Sequence, residues 1–354
     1  MHNFTNACVS LSLFVDDLSD KTEIHLLFAF LYTLVLGFAL CANLFAVLAI
    51  LSCKQLHTVR NLFLLNLAVS DLIVIFVSGA VTPVTTFKKS WIFGELLCKV
   101  VPFLQACSAW ISTFSLAIIS IDRFILIVFP TITPIQLKLA IKMVIILWLS
   151  VFVINVPVMS RQALIPSQAE NGDFYCGLFC VEIFEQVSER HAYGITVLLL
   201  QLALPLAITC LCYIGIYVKI NKKSGRVTTR SRLYLKRVRR TNRLLIFMVA
   251  TLVVCWTPQI SYHTLRDFDL LPPVLRRQEY FTSVVLHWLA MTATCWNPIL
   301  YALLNDQLRA ALLGNKKRKK RSCHKESARV ELLARAPTID RNSMMDDQNH
   351  DVML

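Results

Sequence analysis

The sequence predicts an all-α membrane protein, a seven-transmembrane helix bundle followed by a short amphipathic eighth helix. Three observations predict it. The chain has 354 residues, 56% hydrophobic and only 16% charged, where a soluble domain carries about 25% charged residues. Predominantly apolar runs of membrane-spanning length recur seven times. Basic residues crowd alternate connections. From Lys219 to Arg243 there are 11 Lys/Arg and no Asp/Glu, and all six residues from Lys316 to Arg321 are basic. Residues 1–23 instead carry Asp16, Asp17, Asp20 and Glu23 against Lys21. This is the positive-inside pattern. It places the basic connections in the cytoplasm and the N-terminus outside, and it accounts for the net charge of +14 without nucleic acid.

The elements follow in order. Residues 1–23 read as an extracellular tail. They lack a basic start and a long apolar run, so no cleavable signal is expected and the first span directs insertion. Asn3-Phe4-Thr5 fits a glycosylation acceptor. Residues 24–304 hold the spans, near Ile24–Ser52, Leu62–Phe87, Cys98–Phe129, Met143–Met159, Ala192–Val218, Leu244–Leu265 and Phe281–Leu304. Pro83, Pro157, Pro205, Pro258 and Pro298 lie inside them, where each is a candidate kink. Residues 305–315 read as an amphipathic helix on the inner face, with Leu308, Leu312 and Leu313 opposite Arg309. Residues 316–354 form a cytoplasmic tail whose basic run meets anionic lipid. Cys323 is a candidate palmitoylation site, and Asp351–Leu354 can add a strand to a PDZ domain.

The third span organises the rest. Cys98, Gln105 and Ser112 step by seven and share one helix face. Cys98 to Arg123 is 25 residues, roughly 37 Å of helix at ~1.5 Å per residue. That length carries Cys98 to the outer surface and Asp122-Arg123 to the inner one.

Polar residues inside the spans are functional candidates by their cost. Asp71, with Asn43, Ser112 and Asn297 as expected neighbours, can hold a dehydrated Na⁺ or a proton, or act as interhelical glue. Asp122 and Arg123 meet the inner boundary at the depth of Tyr213 and Tyr301. In the outer halves, Gln105, Gln201, His263, Asp267 and His287 converge on a pocket suited to a polar, positively charged ligand. Trp256, His263 and Asp267, spaced by seven and four, share one face. No nucleophile elbow, HExxH or phosphate loop appears, so no catalysis is expected. No cofactor is expected beyond the Na⁺. A seven-helix transporter or channel is the distant alternative. Cys8, Cys98, Cys176 and Cys180 fall outside, where disulfides form.

With these residues placed, the chain resembles a rhodopsin-type (class A) G-protein-coupled receptor over about residues 24–315. The motifs are Asn43, Leu67-Ala68-Val69-Ser70-Asp71, Cys98, Asp122-Arg123-Phe124, Trp148, Pro205, Cys255-Trp256-Thr257-Pro258 and Asn297–Tyr301. Within that class it is similar to neuropeptide Y and neuropeptide F receptors, through Trp91-Ile92-Phe93-Gly94-Glu95, Gln105, Gln201, Asp267 and His287–Cys295. The resemblance implies an amidated peptide ligand ending in Arg-aromatic-amide. Asp267 is then the partner of its arginine, Gln105 and His287 read the terminal amide, and the aromatic ring points toward Trp256. Glu182, Glu185 and Glu189 steer a basic peptide. Trp256, Pro258, Asn297 and Tyr301 form the activation switch. Asp122, Arg123 and Tyr213 couple to a heterotrimeric G protein of the Gi/o class, and arrestin is a further partner. The family's spacing selects Cys180 as the partner of Cys98, with Cys176 as the alternative. Cys176 then pairs with Cys8 or stays free.

The chain also departs from the pattern. Phe124 replaces Tyr, Leu252 replaces a Phe of the activation core, Ala293 replaces Asn near the sodium site, and Ala42 precedes Asn43. No Glu stands near Val238 to lock Arg123. Met291, where visual pigments carry a lysine, argues against a photoreceptor.

Overall fold

Among the described residues, seven long helices run back and forth across one bundle. The computed structural model describes residues 8, 9, 11, 17–166, 174–222 and 229–304. The helices are α1 (Thr22–Ser52), α2 (Val59–Lys88), α3 (Gly94–Val128), α4 (Leu137–Arg161), α5 (Val187–Asn221), α6 (Thr229–Asp267) and α7 (Glu279–Leu304). Among the described residues, six are long and apolar enough to cross a membrane. The seventh, α7, has 26 residues, roughly 39 Å at ~1.5 Å each. Thr282, His287, Thr292, Thr294 and Asn297 dilute its apolar run. The expectations at Asn3, residues 305–315, Cys323 and the tail lie outside the described residues, as does the side chain of Tyr301.

Apolar side chains such as Leu26, Phe30, Val153 and Leu211 point outward, while Asn43, Ser70, Asp71, Ser115 and Ser120 are buried. Polar groups inside and hydrocarbon outside is the order a bilayer imposes. The inner half packs around Phe63, Leu64, Leu67, Ile119, Ile216, Met248 and Leu300. Asn66 ties three helices there. It donates to Ser115 Oγ (2.7 Å) and accepts from Trp148 Nε1 (2.7 Å).

Two helices contain a wider π-type turn, at Ile75–Gly79 in α2 and Leu198–Ala203 in α5. Each sits just before a proline, Pro83 or Pro205. Proline has no N–H, so the carbonyl four residues earlier, Gly79 or Gln201, loses its usual donor. The turns absorb that defect and re-aim the residues within them. Ser78 lies in the first and Gln201 in the second.

Several helices extend past their apolar runs. α4 begins at Leu137 rather than Met143, α5 at Val187 rather than Ala192, and α6 at Thr229 inside the basic stretch. Polar turns beyond the hydrocarbon continue a helix without adding hydropathy.

The outer surface is capped by β2 (Gln162–Ile165) paired antiparallel with β4 (Phe179–Glu182). The Cys98–Cys180 disulfide pins β4 to α3, as the family spacing implied. Cys176 is not free but disulfide-bonded. Next to it, β3 (Phe174–Tyr175) lies parallel to β1 (Cys8–Val9). The N-terminal segment reaches back to α7. The buried Asp17 carboxylate accepts from Tyr280 N and Phe281 N (both 3.0 Å) and from Ser19 N (2.7 Å). Lys89, whose positive φ of 49° ends α2, pairs with Asp20 at 2.6 Å.

Candidate functional site

The outer polar residues divide into three groups. The deepest joins four helices. Ser78 Oγ of α2 donates to Gln105 Oε1 of α3 at 2.7 Å. His287 Nε2 of α7 lies 2.9 Å from Ser78 Oγ, and the Tyr32 hydroxyl of α1 lies 2.8 Å from His287 Nδ1. The proton order follows from donor counting. Ser78 spends its only proton on Gln105, so His287 donates to Ser78 through Nε2. Nδ1 therefore accepts from Tyr32, whose hydroxyl proton is shared with the Val284 carbonyl at 3.2 Å. The Gln105 carbonyl is thereby engaged, while its amide N–H groups have no hydrogen-bond partner among the described residues. His287 is 2% exposed and both ring nitrogens are engaged. It reaches Gln105 through Ser78. Neither Tyr32 nor Ser78 stands out in the sequence: one is an aromatic in an apolar helix, the other one serine among many.

The second group lies at the rim. Asp267 ends α6, and Arg190, in the first turn of α5, reaches it with two nitrogens. Arg190 Nε is 3.0 Å from Asp267 Oδ1, and Arg190 Nη2 donates to the same oxygen. His191 Nε2 lies 2.9 Å from the Asp267 carbonyl, and its ring stacks on Phe268 with centroids 4.1 Å apart. Asp267 is therefore not an open acid. Nearby acids are also partnered: Glu189 with Arg161 (3.9 Å), Glu279 with Arg266 (3.4 Å) and Asp269 with Arg276 (2.7 Å). Glu182, at the end of β4, keeps an exposed face. Partial loss of hydration, then the Asp267 carboxylate, holds its carboxyl above the usual range, against Arg161, Arg190 and Arg266.

The third group is apolar except at its edges. Gln201 and Trp256 line a crevice with Ala109, Thr113, Leu252 and Ile260. A neighbouring crevice is lined by Leu116, Pro205 and Leu252. Both open where Leu252 stands in place of the larger Phe of the resembling receptors. His263, partly buried between the rim and this crevice, lies against the Tyr262 ring at 5.7 Å.

Mid-bundle, Asn297 Nδ2 donates to Asp71 Oδ2 at 2.9 Å. Ser112 Oγ pairs with Ser70 Oγ (3.0 Å). Asn43 donates to the Thr294 carbonyl (3.0 Å), and its own buried oxygen has no hydrogen-bond partner among the described residues. Of the expected neighbours of Asp71, Asn297 touches it, Ser112 pairs with the adjoining Ser70, and Asn43 turns to Thr294.

At the inner face Arg123 pairs with Asp122 at 2.8 Å. Tyr213 accepts from Ser120 Oγ at 3.1 Å, on the α3 side of α5. Phe124 lies against Gly215 of α5. Arg240 Nη2 of α6 donates to the Leu303 carbonyl of α7 at 3.2 Å, and among the described residues the inner half of α6 carries no acid to reach Arg123.

Comparison with known proteins follows the same outline. The family model described as 7 transmembrane receptor (rhodopsin family) matches residues 42–301. Neuropeptide receptor npr-1 of Caenorhabditis elegans is 29% identical, covering 88% of this chain and 77% of that protein. Putative neuropeptide Y receptor 11 of the same organism is 31% identical, over 79% of this chain and 72% of that protein. The Neuropeptide F receptor of Drosophila melanogaster is 29% identical, over 82% of this chain and 62% of that protein. A bundle of seven spans, a disulfide from α3 to the outer hairpin, an acid–arginine pair at the inner end of α3 and this matched span agree. The chain belongs to the rhodopsin family of seven-transmembrane receptors.

Proposed function

We propose that this receptor binds an extracellular amidated neuropeptide ending in Arg-aromatic-amide and signals through a heterotrimeric G protein of the Gi/o class. It resides in the plasma membrane with its N-terminus outside. The observation that carries this reading is the pairing of an acid at the rim, Asp267, with donors deeper in the bundle, the Gln105 amide N–H groups. An arginine side chain and a terminal amide carbonyl complement that arrangement. The names of the similar receptors support the peptide class. Gln201, His263 and Trp256 contact the aromatic end, and Glu182 steers the basic segment. Binding favours a state in which the inner ends of α5 and α6 part while their outer seam holds, and Arg123, Tyr213 and Tyr301 meet the G protein or arrestin. The ligand supplies only its differential affinity for that state. Asp71, Ser112 and Asn297 hold a Na⁺ that favours the closed bundle. The buried, unpartnered oxygen of Asn43 and the Asp71 carboxylate are donors of the hard, oxygen type such an ion takes.

The test is inhibition of cAMP formation in cells expressing the full chain, screened against amidated Arg-aromatic peptides. Asp267→Ala should weaken an active peptide by about 2 kcal/mol, the low end for paired charges, because Asp267 keeps 24% of its side chain exposed. The Arg190–Asp267 pair favours one competing reading, a receptor for a peptide without arginine. Under that reading Asp267→Ala leaves peptide affinity unchanged.

A further inference from the structure

We propose that Arg190 is an internal stand-in for the ligand's guanidinium. It holds Asp267 until a peptide arginine displaces it, and so sets the affinity threshold and the selectivity for arginine. The proposal rests on the reading of Asp267 as the acid that receives the ligand's arginine.

The placement of both residues argues for it. Arg190 stands in the first turn of α5, where the helix macrodipole disfavours a cation. Asp267 is the last residue of α6, where the dipole disfavours an anion. Neither charge is favoured by its own helix, and each offsets the other's misplacement across the α5–α6 seam. The contact is also incomplete. Arg190 directs both Nε and Nη2 to Oδ1, and Oδ2 has no hydrogen-bond partner among the described residues. Gly194, one turn further along α5, faces Oδ2 with no side chain of its own; a Cβ there would stand 4.0 Å from that oxygen, in ordinary van der Waals contact. A guanidinium arriving from the pocket can take both carboxylate oxygens in a fork, the stronger arrangement.

Displacement costs little. The Arg190 side chain is 39% exposed and that of Asp267 24%, so water already competes for the pair. The seam does not depend on it. His191 holds the Asp267 carbonyl and stacks on Phe268, so α5 and α6 stay joined when Arg190 swings away. Opening is therefore a side-chain event, and its cost appears directly in the ligand's affinity.

The experiment uses two fluorescent synthetic peptides on membranes carrying the full receptor at matched surface expression. One ends in Arg-Phe-amide and the other in citrulline-Phe-amide, which keeps the shape and removes the charge. Arg190→Gln should tighten the arginine peptide about three- to tenfold and leave the citrulline peptide unchanged, raising the ratio of the two affinities. Arg190→Lys, a charge without the fork, should fall between. Asp267→Asn added to Arg190→Gln should abolish the gain. An Arg190→Gln receptor whose ratio equals or falls below that of the wild type overturns the proposal, provided Asp267→Asn lowers the wild-type ratio. Should Asp267→Asn leave the ratio unchanged in both backgrounds, the reading of Asp267 itself fails, and the proposal with it.

Discussion

Asp17 shows how much one carboxylate can organise. It lies outside every span, yet it is 2% exposed, because the first N–H groups of α7 turn toward it. Tyr280 N and Phe281 N would otherwise be unmet. Asp17 caps them and complements the positive end of the helix dipole. Asp17→Ala is expected to lower the stability of the detergent-solubilised receptor by about 1 kcal/mol, read as a drop in melting temperature. Asp17→Asn should retain most of the wild-type value, because an amide oxygen still accepts. An Asp17→Ala receptor that melts with the wild type would show that the cap contributes nothing. The sequence marks Asp17 only as one of four acids in a polar tail, since the partner N–H groups lie some 260 residues away. Gln105 was legible for the opposite reason. Its step of seven from Cys98 and Ser112 is local, and a helix converts local spacing into a shared face. Ser78 was not, because its role depends on a π-type turn that no spacing announces.

Among the elements, the contact of α3 with α5 is the most demanding. Gly215 leaves a gap that the Phe124 ring fills; a methyl group there would clash with Phe124 Cε2. Phe124 departs from the usual Tyr of similar receptors, and against this face of α5 the ring packs without needing a hydroxyl partner. Gly215→Ala is expected to displace the ring and cost about 1–3 kcal/mol, the usual penalty of overpacking, measured by thermal unfolding in detergent. In a Phe124→Leu background the same change should cost clearly less, since the two residues touch and their effects couple. Equal costs in both backgrounds would place the strain elsewhere. Prolines and apolar runs made the helices legible. Their polar ends were not, and the loss mattered at α5, where the missed first turn carries Arg190.

Over the whole molecule, the positive-inside pattern and the buried polar residues gave the bundle, but the ion pairs at its mouth were not legible. Asp267, Glu189, Glu279 and Asp269 each face an arginine of the chain itself, pairings set by helix ends distant in sequence. Glu182 differs. Partial desolvation and the Asp267 carboxylate raise its proton affinity, while Arg161, Arg190 and Arg266 oppose them. The sign for binding follows. At alkaline pH the carboxylate is charged and attracts a cationic peptide. As pH falls through its raised pKa it becomes neutral, and that attraction is lost. An ordinary glutamate titrates near 4.3, so affinity for an amidated arginine peptide should begin to fall at a higher pH than that. Glu182→Gln should bind more weakly than wild type near neutrality and show a flatter profile on acidification, because an amide has no proton to gain. The measurement is equilibrium binding of one labelled peptide to both receptors across mildly acidic pH. Parallel curves would remove Glu182 from the steering field and leave the remaining attraction to Asp267, once Arg190 has released it.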